Sequence, residues 1–298
     1  MITREIFTEP TVYKRRTYDV DDFFFNIPSE LNSYYAGFIA ADGCICSRKY
    51  EKRTLKIGLS SKDSEWIKTF KEKIKSESPI KYRRQKKIYE LAEISITSKQ
   101  IVDDLLSNFN IGPRKSLTLE PPLIKEQNLK YAFICGYIDG DGSIFFSERN
   151  EFNKTLYLSI LGTKRMCEWI KHTFDELTNK RGKIKLKPNT RIYRLDYCCK
   201  AAREIIKVLS DVNVPKLDRK WTKEIIEYSK NFIRGHNHTF KKVYIYDLNY
   251  KLIKECISVK EASLFSGVSY TLVSKLINSK NNQRNGLIFC KEKLSNII

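Results

Sequence analysis

Two stretches of this chain carry one pattern. YYAGFIAADGCI at 34–45 and FICGYIDGDGSI at 133–144 share the frame Gly-(Phe/Tyr)-Ile-x-(Ala/Gly)-Asp-Gly-x-Ile, so that Gly37 answers to Gly136, Ala41 to Gly140 and Asp42 to Asp141. A second echo follows each, EWIKTFKE at 65–72 and EWIKHTFDE at 168–176. A repeat spaced by roughly 100 residues is a duplicated domain-sized unit, and two such units pack about a pseudo-twofold axis. The acids do not form a calcium loop. Counted from Asp139, the sixth position is Ile144 instead of glycine and the twelfth is Asn150 instead of a bidentate glutamate.

Each half follows one coarse plan. Ser29 and Asn128 read as N-caps of an apolar helix that Gly43 and Gly142 end. Two strand-like runs follow, CICSRKY with RTLKIGLSS and SIFFSERN with KTLYLSILG, and then the EWIK helix. A second strand pair comes next, PIKYRRQKK with IYELAEISITS and KIKLKPN with RIYRLDYCC, before a closing helix, SKQIVDDLLSNF or CKAAREIIKVLSDV. The order α-β-β-α-β-β-α predicts an α+β fold: in each half a four-stranded antiparallel sheet with helices on one face. Basic or polar residues at alternate strand positions, Lys81, Arg83, Gln85 and Lys87 in one half and Lys183, Lys185 and Lys187 in the other, would then line the open face.

GPRKSLTLEPPLIKEQ at 112–127 lacks periodicity, carries Pro121-Pro122 and reads as the linker between halves. A second break is RGHNHTF at 234–240. Beyond it, VYIYDLNYKLIKE reads as a hairpin turning near Asp247–Tyr250, followed by a helix with a Ser258/Glu261 capping box, a break at Ser266-Gly267 and a helix restarting at Ser269. Two short helices around a glycine turn make a helix-turn-helix. The expected division is an N-terminal extension over 1–28, halves over 29–120 and 121–232, and a small hairpin/helix-turn-helix domain over 239–298.

The 298 residues hold 55 Lys+Arg against 35 Asp+Glu, a formal charge of +20. Such an excess attracts polyanions, and counterion release makes nucleic acid the leading partner. A membrane is disfavoured, since apolar runs such as YAFICGYI at 131–138 are far too short to span one. The eight cysteines show no C-x2-C pair, and Cys44/Cys46 and Cys198/Cys199 are too close together for zinc-finger spacing. Reduced thiols in an intracellular protein are expected. The N-terminal MITREIFTEP has early acids and no apolar signal segment.

On a helix, Gly37 and Ala41 are four apart, as are Gly136 and Gly140, giving each helix a stripe with little side chain. Such stripes let two helices touch. Facing one another, they would bring Asp42 and Asp141 out together at adjacent helix ends. Two close carboxylates repel, and helix C-termini add partial negative charge. A divalent cation relieves both penalties, and oxygen ligands favour Mg²⁺. Beside a basic sheet, such metals can clamp the oxygens of a phosphodiester.

YAGFIAADG at 35–43 and ICGYIDGDG at 134–142 resemble the nine-residue signature of the LAGLIDADG homing endonucleases in their two-copy, single-chain form. The resemblance covers roughly residues 29 to 232. It implies an αββαββα fold in each half, a DNA-binding saddle of two sheets and signature helices at the interface. The eighth signature residue, the metal-binding acid, maps onto Asp42 and Asp141, and the seventh, whose carbonyl touches metal, onto Ala41 and Gly140. Mg²⁺ or Mn²⁺ is the implied cofactor. The sixth differs, Ala40 against Asp139, at a position that is not the catalytic one. The resemblance also implies an active-site lysine at the end of the second strand of each half, Lys62 and Lys164, with Arg165 a rival to Lys164. NIGPRKSLTL at 110–119 is similar to the segment that closes the first half in relatives. The region 239–298 resembles DNA-binding modules attached to homing nucleases, with Tyr270, Thr271, Ser274 and Lys275 outward on the second helix.

An HNH nuclease is disfavoured: beyond His236 and His238 the chain has one further histidine, His172. The same shortage disfavours Cys-His chemistry. Tyr193, Tyr197, Phe145 and Phe146 can stack on bases, though strand aromatics more often pack inward. The expected activity is a monomeric, Mg²⁺-dependent, site-specific double-strand DNA endonuclease. The alternatives on the same fold are an intron RNA maturase and a non-cleaving DNA-binding regulator.

Overall fold

The duplicated frame is built twice as a helix running into a strand. The computed structural model describes residues 18–46, 53–85, 89–148, 154–231, 242–279 and 281–294. The chain forms two compact units, Met1–Asn231 and Phe232–Ile298. Lys87, residues 1–17, the Asn150 position and the RGHNHTF break lie outside the described residues.

In the first half, α1 (Glu30–Asp42) starts at Ser29, whose side chain accepts from Asn32 N while the Asn32 side chain accepts from Ser29 N. This reciprocal cap satisfies two donors that a helix start would leave orphaned. β1 (Gly43–Cys46), β2 (Thr54–Ser60), α2 (Ser64–Lys73), β3 (Lys81–Gln85), β4 (Tyr89–Thr97) and α3 (Lys99–Phe109) follow. The sheet order is β1-β2-β4-β3, antiparallel throughout. Along β2, Leu55, Ile57 and Leu59 are buried while Lys56, Gly58 and Ser60 are exposed, the period-two signature of a sheet with one covered face.

The second half repeats the plan with α4 (Gln127–Asp141), β5 (Gly142–Glu148), β6 (Lys154–Gly162), α5 (Lys164–Thr173), α6 (Asp175–Thr178), β7 (Lys183–Leu186), β8 (Tyr193–Cys198) and α7 (Cys199–Ser210). Its order, β5-β6-β8-β7, matches the first sheet. Both halves thus have the expected α+β order, with three departures. The EWIK helix splits at Phe174, where φ −111° and ψ 7° leave the helical range. An unanticipated α8 (Lys223–Asn231) buries Ile225 and Ser229. Asn128 is not an N-cap: that place falls two residues earlier, on the extended Glu126, and Asn128 Nδ2 instead donates to Glu30 Oε1 at 2.9 Å.

The 112–127 segment is no loose linker. It holds a 3-10 turn at Lys115–Leu117, it buries Lys115, Leu119 and Ile124, and Pro121 O accepts from Asn110 Nδ2 at 2.6 Å. Its prolines deny it regular structure but not burial. Residues 18–28 also pack on the first half: Phe25 is buried, and Asn108 Nδ2 donates to Phe25 O and Asn26 O at 2.9 Å. One core runs through both halves, where Phe133 of α4 stacks on Phe109 of α3 at 6.3 Å.

In the second unit, β9 (Val243–Tyr246), β10 (Leu252–Cys256), α9 (Val259–Ser266), α10 (Tyr270–Leu276), β11 (Gln283–Arg284) and β12 (Leu287–Cys290) form a sheet ordered β10-β9-β12-β11. Val243, Ile245, Ala262, Val273 and Phe289 make its core. The expected hairpin turns on Asp247, whose Oδ1 accepts from Asn249 N and Lys251 N. The two helices meet at Gly267, φ 68°, a left-handed position that suits glycine. The Ser258 side chain accepts from Glu261 N, but Glu261 Oε2 reaches Ile257 N instead of closing the box on Ser258. The β11–β12 hairpin was not anticipated, although its Asn285-Gly286 turn, φ 54° and 73°, is a strong hairpin signal.

Candidate active site at the paired helix ends

α1 and α4 touch backbone to backbone. A Cβ on Gly37 would lie 1.9 Å from Phe133 O, and one on Gly136 1.9 Å from Tyr34 O. Further along, a Cβ on Gly140 would lie 2.3 Å from Ala41 Cβ and 3.5 Å from Asp42 N. Only residues without a side chain permit this crossing at both glycines. The following Gly43 and Gly142 are not left-handed, with φ −76° and −96°. They are needed for space, because a Cβ would meet Ile39 O at 2.8 Å or Ile138 O at 2.7 Å.

Asp42 and Asp141 are the last residues of α1 and α4, so the crossing delivers both to one place. Loss of hydration raises both carboxyls above the usual range. Lys220, Lys115 and Arg219 oppose the rise at Asp42, whereas the like charge of Asp42 adds to it at Asp141, against Lys115 and Lys220.

Those two lysines are the residues that sequence reasoning missed. Lys115 Nζ donates to Ala40 O at 2.7 Å and Ala41 O at 3.2 Å. Lys220 Nζ donates to Ile138 O at 2.9 Å, Asp139 O at 2.6 Å and Gly140 O at 2.9 Å. Each is buried against the negative end of a signature helix. Burial lowers both ammonium pKa values, with Arg219 adding at Lys220 and the site's acids opposing. A faint signal existed: each follows an arginine, Arg114-Lys115 and Arg219-Lys220, in the segment beyond the closing helix of its half.

Lys62 and Lys164 do not take these places. Lys62 sits exposed in a 3-10 turn at Ser61–Asp63, and Lys164 opens α5 facing Glu168 at 3.6 Å. Arg165 pairs with Glu120 at 2.7 Å. The neighbour that matters in this stretch is Asp63, held by Arg219 Nε at 3.0 Å, which fastens the end of the second half onto the first. A cavity of about 310 Å³ opens beside Asp141, lined in part by Ala41, Lys115, Lys187 and Thr190.

The open faces of both sheets carry the anticipated residues. Lys81 and Arg83 pair in register with Glu93 and Leu91, and Arg83 lies 3.6 Å from Glu93. Gln85 ends β3 opposite Tyr89. Lys183 and Lys185 are exposed opposite Asp196 and Arg194, and Lys187 continues just beyond β7. Of the aromatics, Tyr197 is buried and Phe146 packs edge-on against Tyr228, whereas Phe145 is exposed and stacks on Tyr157 at 5.5 Å. On α10, Tyr270, Thr271 and Lys275 are exposed and Ser274 is half-buried.

The donors fit a hard cation. Two carboxylates and the carbonyls of Ala41 and Gly140 are all oxygen, the set that suits Mg²⁺ or Mn²⁺. No group of three or more His, Cys, Asp or Glu gathers among the described residues, so the remaining positions would fall to water or phosphate, as Mg²⁺ commonly accepts. No described helix is long and apolar enough to cross a membrane, and all eight cysteines are free thiols.

No family model and no curated protein matches the chain. Among solved structures, it is similar to meganuclease I-SmaMI bound to uncleaveable DNA, with 15% identity over 70% of this chain and 94% of that one and a TM-score of 0.49. It is similar to the I-LtrWI LAGLIDADG homing endonuclease bound to target DNA, with 14% identity over 67% and 90% and a TM-score of 0.47. LAGLIDADG meganuclease I-CpaMI bound to uncleaved DNA gives 15% identity over 69% and 92% and a TM-score of 0.47.

Proposed function

We propose that this chain is a LAGLIDADG homing endonuclease, a site-specific nuclease that hydrolyses both strands of double-stranded DNA with a divalent cation. One observation carries the reading: a glycine-only crossing brings the terminal acids of two duplicated helices together, beside two open sheet faces bearing basic residues. The acids, the glycine frame and the basic faces are what the family resemblance leads one to expect, and each half supplies one acid, so a single chain would complete the site.

In this mechanism Asp42 and Asp141, with the carbonyls of Ala41 and Gly140, would hold Mg²⁺ or Mn²⁺, which when bound would supply Lewis acidity for the attacking water and offset phosphate charge. Lys115 and Lys220 hold the helix ends and keep positive charge against the two acids, so that the site accepts an anionic backbone. Lys81, Arg83, Lys183, Lys185 and Lys187 meet DNA from the open faces, and Tyr270, Thr271, Ser274 and Lys275 of the second unit add contacts. An intracellular setting follows from such a substrate.

The test is cleavage of a plasmid carrying the DNA that flanks the chain's own gene, with and without Mg²⁺. Metal-dependent linearisation at one position supports the reading. Tight binding without cutting by the wild-type protein would leave a DNA-binding regulator instead.

A further inference from the structure

Among the buried differences between the two halves, one exchanges an apolar residue for an acid: the sixth position of the repeated frame, Ala40 in the first and Asp139 in the second. Asp139 is fully buried. Its Oδ2 accepts from Tyr34 Oη at 2.7 Å and Leu217 N at 3.0 Å, and its Oδ1 accepts from Trp221 Nε1 at 2.7 Å. Trp66 Nε1 in turn donates to Tyr34 Oη at 2.8 Å. A carboxylate out of water is costly unless its lone pairs are met, and here every donor comes from outside its own helix. Two of the three flank Lys220: Leu217 and Trp221 bracket the turn that carries it, and Trp221 is its next neighbour. That turn then delivers Lys220 Nζ to the three carbonyls at the end of α4.

The first half solves the same task differently. Lys115 rides on a 3-10 turn, and just beyond it Leu119 O accepts from Thr163 Oγ1 at 2.7 Å and the partly exposed Glu120 pairs with Arg165, so the described anchors of this segment include no fully buried carboxylate. We infer that Asp139 is a positioning residue that holds Lys220 at the paired helix ends, so that the two strand-cutting sites are built unequally and only the one served by Lys220 depends on a buried carboxylate. The consequence for cutting rests on the nuclease reading above; the positioning of Lys220 does not.

The experiment compares wild type, Asp139→Asn, Asp139→Ala and Lys220→Met. Lysine accessibility is read by amine-directed acetylation and mass spectrometry, and cutting by strand-specific nicking of a supercoiled target plasmid. In Asp139→Asn, which preserves shape, and more strongly in Asp139→Ala, acetylation of Lys220 should rise at least about fivefold while Lys115 stays protected. Nicked circles should accumulate with the same strand left uncut as in Lys220→Met, and adding Asp139→Asn to Lys220→Met should slow that strand no further. Unchanged protection of Lys220 in both Asp139 variants, equal exposure of both lysines, or equal slowing of both strands would overturn the inference. Should wild type cut no DNA while Lys220 still responds to Asp139, the positioning stands and the nuclease reading falls.

Discussion

Tyr34 O lies 1.9 Å from where a Cβ on Gly136 would stand, so α1 and α4 meet through main chain with no space for a methyl group. The obstacle is backbone, which cannot rotate aside as a flexible side chain would. Gly136→Ala should therefore destabilise the first unit by about 3 kcal/mol or more, at the upper end of overpacking costs. For a unit of this size that is a fall of roughly 6–12 °C in Tm. Gly58→Ala, where a Cβ meets nothing within 4 Å, is the matched control and should melt close to wild type.

The paired acids make a second prediction, readable without DNA. Both Asp42 and Asp141 have raised carboxyl pKa values in the fold. A raised folded-state pKa contributes stability that is present below the ordinary value and lost as pH rises through the folded one. At pH 7 without metal, Asp42→Asn and Asp141→Asn should therefore melt at or above wild type. Mg²⁺ should reverse the order: it raises wild-type stability by about 2.7 kcal/mol at a hundredfold excess over Kd and leaves the double asparagine variant unmoved. Either single variant should bind target DNA yet fail to linearise it, and linearisation by Asp141→Asn at the wild-type rate would remove that residue from the chemistry.

Lys115 and Lys220 give a third. Lys115→Met and Lys220→Met each remove an ammonium from the end of a signature helix. Each should slow cutting of one strand by about 10²–10³, the cost of losing one preorganised charge-stabilising donor. Binding to target DNA, measured at one fixed salt concentration, should change only a few-fold. Lys62→Met and Lys164→Met should leave nicking rates near wild type.

A fourth concerns pH. Burial pushes the Asp139 carboxyl up to about 6, against the pull of its three hydrogen bonds. Its neutral form favours folding, so this contribution is present below about pH 4 and is lost as pH rises through about 6. The stability of wild type minus that of Asp139→Asn, from urea melts at pH 4, 5, 6 and 7, should fall by roughly 3 kcal/mol across the series. A flat difference would show that the carboxylate is fully compensated by its donors.

Most of the architecture could be read locally. Alternation along β2 and β6 and the apolar runs of α1 and α4 are short-range patterns, and they led to the right order of elements. The misreadings also have local causes. Pro121 and Pro122 made 112–127 look like a spacer, because proline forbids regular hydrogen bonding whether or not a segment is packed. Asn128 has a capping side chain but sits two residues too late, where tertiary contact with Glu30 claims it. The Ala40/Asp139 difference was visible, but Tyr34, Leu217 and Trp221 lie far away in the chain and share no spacing with Asp139.

The amino-acid order alone determined that there are two halves, that Gly37 and Gly136 mark where they touch, and that Asp42 and Asp141 emerge at that contact. A glycine's missing side chain and a matched frame are properties of the sequence itself, so they are legible before folding. Tertiary structure decided which cations join the acids. Lys115 lies 74 residues beyond Ala41 and Lys220 lies 80 beyond Gly140. Among 55 lysines and arginines the shared Arg-Lys pairing is too weak a local pattern to single out these two, since Arg48-Lys49 has it as well. They are singled out only when the folded chain buries their ammonium groups against helix-end carbonyls, an electrostatic fit that exists nowhere in the extended polymer.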